Sequence, residues 1–122
     1  MLLAGLAVIS SGLPAHSGIA NAVAEEATER ANAKRLFTAG NFKESYKVYR
    51  QLALQPGTSA AKVGGDLKQA IVCLGRLART PEVDALRDKV VSIHRRNWRL
   101  LLVAAQTLAD GAHNGQIVAG EY

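Results

Sequence analysis

The side chains of this chain whose types could do chemistry are few and scattered. They are Cys73, His94, His113 and an aromatic set among bases, His94-Arg95-Arg96-Asn97-Trp98-Arg99. Catalysis needs a nucleophile, a base and an orienting group brought together. Past the first two dozen residues there are two histidines and no serine in a Gly-x-Ser-x-Gly setting. His94 falls near the end of a helical stretch, where an imidazolium complements the helix dipole. His113 stands in Gly111-Ala112-His113-Asn114-Gly115, a polar loop in which it stabilises a turn. Two histidines so far apart make a poor metal site. The lone Cys73 lies in Ala70-Ile71-Val72-Cys73-Leu74, has no second cysteine to bridge, and reads as a small buried hydrophobe.

Neither Gly64-Gly65-Asp66 nor Gly115 belongs to a phosphate loop, since no Gly-x-x-x-x-Gly-Lys and no strand-led Gly-x-Gly-x-x-Gly occurs. Trp98 between Arg96 and Arg99 has the composition to stack a nucleotide base. The stronger expectation is a core role, with the indole anchoring the start of a fifth helix against a fourth. The sequence thus assigns no catalytic, cofactor-binding or metal-binding residue, and points to no enzyme and no cofactor.

The elements that must position these residues are helical. The chain has 122 residues, 48% hydrophobic and only 5% aromatic, so its core is built from aliphatic side chains and alanine. That balance suits closely packed helices, and the length suits one domain. The formal charge of +5 has an anionic partner as one reading. The favoured reading is a mildly basic solvated surface, because no block of five or more basic residues occurs.

Met1 to Ile9 is an uninterrupted apolar run, followed by Ser10-Ser11-Gly12-Leu13-Pro14. Its length fits the centre of a secretory signal and is too short to span a bilayer. Small residues at Ala20-Asn21-Ala22 and Ala22-Val23-Ala24 offer cleavage sites, although no Lys or Arg precedes the run. The expected layout is a signal over residues 1–22, a helical domain over 23–110, and a tail over 111–122 leading into a further domain. The other reading of the run is an apolar N-terminal helix, which Gly12 and Pro14 oppose. Export places the chain in the periplasm or cell envelope.

Five helices are expected after the signal. The first spans about Ala24 to Ala39 and stops at Gly40 in a left-handed turn. Asn41 then caps a second, with Glu44 completing a capping box. Its stripe is Phe42, Tyr46, Tyr49, Leu52 and Ala53, and Pro56 ends it. The third covers about Ala60 to Ala78 with Val63, Leu67, Ala70, Ile71, Leu74, Leu77 and Ala78 on one face; Gly64-Gly65 weakens its start, moving it toward Asp66. Thr80 caps the fourth, with Pro81 at its first position and Val83, Leu86, Val90 and Ile93 buried. The fifth, from about Asn97 to Ala109, turns Trp98, Leu101, Leu102, Ala105 and Leu108 inward and ends at Asp110-Gly111. The tail from Gln116 opens a short strand or another helix.

The first two helices, with Ala33, Leu36, Gly40-Asn41-Phe42, Ser45, Tyr49 and Pro56, form a tetratricopeptide-like hairpin. That repeat has a period of about 34 residues. Gly40 and Thr80 are more widely spaced, so the rest reads as divergent helices.

Larger runs carry a family resemblance. Arg35-Leu36-Phe37-Thr38-Ala39-Gly40-Asn41-Phe42-Lys43-Glu44, Gly65-Asp66-Leu67-Lys68-Gln69-Ala70, Asn97-Trp98-Arg99-Leu100-Leu101 and Ile117-Val118-Ala119-Gly120-Glu121-Tyr122 together resemble the N-terminal helical segment of the alpha-2-macroglobulin-like proteins of planctomycetes. The resemblance implies an envelope protein whose full-length relatives trap proteases with a bait region and often a Cys-Gly-Glu-Gln thioester. Cys73, in Val-Cys-Leu-Gly, does not match that motif, so no functional residue carries over. The expected function is a non-catalytic helical scaffold that binds a protein and no nucleic acid. The alternative is a free-standing periplasmic adaptor holding a peptide in a helical groove.

Overall fold

Among the described residues, small and aliphatic side chains at helical spacing produce five α-helices: α1 (Ala15–Thr38), α2 (Phe42–Leu54), α3 (Val63–Arg76), α4 (Val83–Ile93) and α5 (Trp98–Ala119). One turn of 3-10 helix, Thr80–Glu82, precedes α4. This computed structural model describes the backbone of residues 15–119 and the side chains of residues 20–111. Among the described residues there is no strand, and the fold is all-α as expected. No helix among them is long and apolar enough to cross a membrane. Most of the proposed signal, residues 1–14, lies outside the described residues, and so do Gly120-Glu121-Tyr122. α1 is described from Ala15, well before the expected Ala24.

The first hairpin closes as its residues dictate. Gly40 takes a φ of 86°, its N–H donating to the Phe37 carbonyl at 3.0 Å while that of Asn41 donates to Leu36 at 2.8 Å. These bonds satisfy the last carbonyls of α1 and reverse the chain. The Ser45 hydroxyl then donates to the buried Ala33 carbonyl at 2.8 Å, and Phe37 meets Phe42 edge-on at 5.0 Å. Tyr46, Tyr49, Leu52 and Ala53 are buried, as their spacing predicts.

The capping box does not form. Asn41 sits at φ −86° and ψ 66°, off the extended region from which a cap side chain reaches forward. Glu44 pairs with Lys47 at 3.4 Å instead.

In the next segment the helix ends differ from expectation. α3 starts at Val63, so Gly64 and Gly65 lie inside its first turn. It stops at Arg76, not Ala78. Ala78 adopts a φ of 57°, with the Arg79 N–H donating to Leu74 at 2.8 Å and the Ala78 N–H to Gly75 at 3.2 Å. This is the Gly40 turn again, built with an alanine. Thr80 makes no side-chain cap bond; Arg79 occupies the position before the 3-10 turn and clasps Glu82 at 2.6 and 2.7 Å. α4 therefore begins at Val83, after the tight turn containing Pro81.

α5 departs furthest. It runs through Asp110-Gly111 to Ala119, so the polar loop around His113 and the start of the tail are helical backbone. A single glycine inside a helix costs only about 1 kcal/mol, too little to stop a long apolar helix. Its inward face is also rotated from the expected one. Leu100 and Ala104 are buried, Trp98 is 65% exposed and Leu102 52% exposed, and Leu108 is exposed as well. Trp98 thus anchors nothing against α4. The rotation follows from Gly64: a Cβ built there would lie 3.0 Å from Val103 Cγ2, so α5 rests on α3 where a side chain is missing. α1 packs on α2, α2 on α3, and α3 on α5, with α4 bridging the last pair.

Candidate functional site

Between α1 and α3 there is little direct backbone packing, and both pack on α2. One cross-link spans the gap. Asp66, in the first turn of α3, is 1% exposed, and its two oxygens accept Arg30 Nε and Nη2 of α1 at 2.7 Å each. Glu26, one turn earlier on α1, takes Arg30 at 3.2 Å with one oxygen. With the other it accepts the Ser59 N–H at 2.9 Å, pinning the loop before α3. A buried carboxylate demands such partners, and a bidentate guanidinium meets the demand with fixed geometry. The paired Asp66 carboxylate holds the Arg30 guanidinium even more firmly protonated than usual.

This ion pair forms part of the floor of a groove of about 760 Å³. One wall is α1, with Ala27, Ala31 and Lys34; the other is the start of α3, with Lys62, Gly65 and Lys68. Tyr49 of α2 lies beneath, buried, its phenol pushed above its ordinary value chiefly by burial. The walls are low because their residues are small, and a Cβ added at Gly65 would meet nothing within 4 Å. Lys34, Lys62 and Lys68 are exposed and form no ion pair among the described residues.

The candidates drawn from sequence do not converge. Cys73 is buried in α3 with its sulfur 3.7 Å from the Ser45 hydroxyl, and burial pushes its thiol up. His94 is buried at the end of α4 and bonds through Nε2 to the Ala53 carbonyl at 2.9 Å. It thus serves the open C-terminal end of α2, not the dipole of its own helix. Arg99 lies over the Trp98 ring at 5.0 Å, on the exposed side of α5. The side chain of His113 falls outside the described residues. Among the described residues no group of three His, Cys, Asp or Glu could share a metal ion.

Sequence reasoning missed Arg30, Glu26 and Asp66 as a unit. The signal was present in register: Asp66 follows Val63 by three and precedes Leu67, on the face of α3 that must be buried. A carboxylate in a core register calls for a cation, and Arg30, three before buried Ala33, supplies it.

No family model matches this chain, and neither a curated protein nor a solved structure does.

Proposed function

We propose that this chain is a non-catalytic helical module that binds a protein partner as a segment of peptide laid between α1 and α3. The observation that carries the reading is the groove itself. Two helices are tied across a gap by a partly buried ion pair, with small residues left on both rims. The thiol and imidazole that the sequence offered for catalysis lie elsewhere, Cys73 in the core and His94 on the Ala53 carbonyl. The setting we propose is an exported scaffold, on the strength of the apolar leader and the resemblance to alpha-2-macroglobulin-like proteins, with a tetratricopeptide-like adaptor as the alternative.

The test is a peptide array of mixed composition probed with the whole chain and with Gly65→Phe. The new ring projects from an open position into the groove without disturbing the helix. Binding of some peptide class that Gly65→Phe abolishes supports the reading. Binding that Gly65→Phe leaves untouched, or none at all, overturns it.

A further inference from the structure

We infer that the occupant of the α1–α3 groove is an acidic peptide segment, one rich in Asp or Glu, held by Lys34, Lys62 and Lys68. The inference rests on the binding reading above and adds the chemistry of the ligand. Three observations carry it. The carboxylate inside the groove, Asp66, is already saturated by the bidentate Arg30. Glu26 shares Arg30, so the cluster of three has one negative charge in excess, which the three lysines outweigh to leave the groove net positive. The lysines stand on opposite walls, Lys34 on α1 and Lys62 and Lys68 on the α3 side, so an anionic chain between them meets cations on both sides.

The third observation is a donor. The N–H of Gly65, the exposed residue of an otherwise buried first turn of α3, has no backbone acceptor, because the helix begins at Val63 without a side-chain cap. With no Cβ at Gly65 a carboxylate reaches that amide directly. Charge, donor and access coincide in one place, and together they select an anionic ligand that is narrow enough to lie between two helices.

A peptide fits better than a nucleic acid. Single-stranded nucleic acid is held by bases stacked on exposed aromatic faces. Here Tyr49 is buried, and Phe37 lies edge-on to Phe42 with Arg76 near both rings. The exposed indole of Trp98 and Arg99 belong to α5, outside this groove.

The experiment is fluorescence anisotropy on the full chain with three labelled peptides of equal length, one Glu-rich, one Gln-rich and one Lys-rich, and a single-stranded oligonucleotide. The Glu-rich peptide is expected to bind best. The exposed double reversal Lys34→Glu with Lys68→Glu should weaken it about tenfold, each lost attraction and new repulsion contributing a few tenths of a kcal/mol. Reversal of Lys43 and Lys47, exposed on α2 and outside the groove, should leave binding unchanged. If the Gln-rich or Lys-rich peptide binds best and Gly65→Phe blocks it, the acidic ligand is wrong while the peptide module stands. If no peptide binds, both fall. Tighter, reversal-sensitive binding of the oligonucleotide overturns the peptide in favour of nucleic acid.

Discussion

The two flanks of α3 are built on opposite principles, and adjacent glycines mark the division. On one side Gly64 faces α5, which approaches until Val103 occupies the place of a side chain. On the other, Gly65 faces open space and α1 stays back, tied across the groove by Arg30 and Asp66. The same residue type thus closes one contact and leaves the other open. A flank sealed by apolar packing has no room for a ligand, whereas a flank tied by a single charged link keeps its rims accessible.

The largest expected effect falls on the open flank. Asp66→Ala removes the carboxylate that pairs bidentately with Arg30. Breaking a buried pair costs roughly 3–5 kcal/mol, and the partial exposure of Arg30, 24%, puts this one near the lower end. Urea unfolding should show the loss. A change under 1 kcal/mol would mean that the link does not tie α1 to α3.

A smaller and more diagnostic pair of variants separates the glycines. Gly64→Ala presses a methyl on Val103; overpacking of about 1–3 kcal/mol, less the gain of up to about 1 kcal/mol from alanine in a helix, should leave a net loss of stability. Gly65→Ala adds a methyl to open space in a helix and should stabilise by up to about 1 kcal/mol. Opposite signs in thermal unfolding at neighbouring positions are the signature; equal signs would erase the distinction between the flanks.

The smallest effect extends the contrast to the two helix-ending turns. Gly40 and Ala78 make the same pair of backbone bonds, but only glycine adopts positive φ without strain from a Cβ. Ala78→Gly should stabilise slightly, the relief of about 1 kcal/mol of strain being partly offset by a more flexible unfolded chain. Gly40→Ala should destabilise by about 1 kcal/mol. Calorimetry that ranks them the other way would show that the two turns are not equivalent.

How far the sequence could be read depends on the range of each signal. The stripe of α2 and the left-handed stop at Gly40 depend on residues within one helical turn, and both stand as expected. The turn at Ala78 was hidden because no local signal marks an alanine forced to positive φ; the packing around it imposes the conformation. The capping box failed for the same kind of reason, since the Gly40 turn fixes the backbone of Asn41 before its side chain can act. For α5, Trp98, Leu102 and Leu108 have a periodicity as good as that of Leu100, Val103 and Ala104. Helical spacing alone does not choose between two apolar faces.

By itself the sequence determined that the chain is all-α, where most of its helices lie, and that Cys73 is buried. Each of these follows from spacing, turn residues and apolar character within a few positions. Only the tertiary structure decided that Gly64 draws α5 inward with Leu100 on its buried side. It also decided that Asp66 and Arg30 meet across 36 positions of chain and that lysines from two helices face one groove. Those are relations between elements, fixed by which helices pack closely and which are tied across a gap.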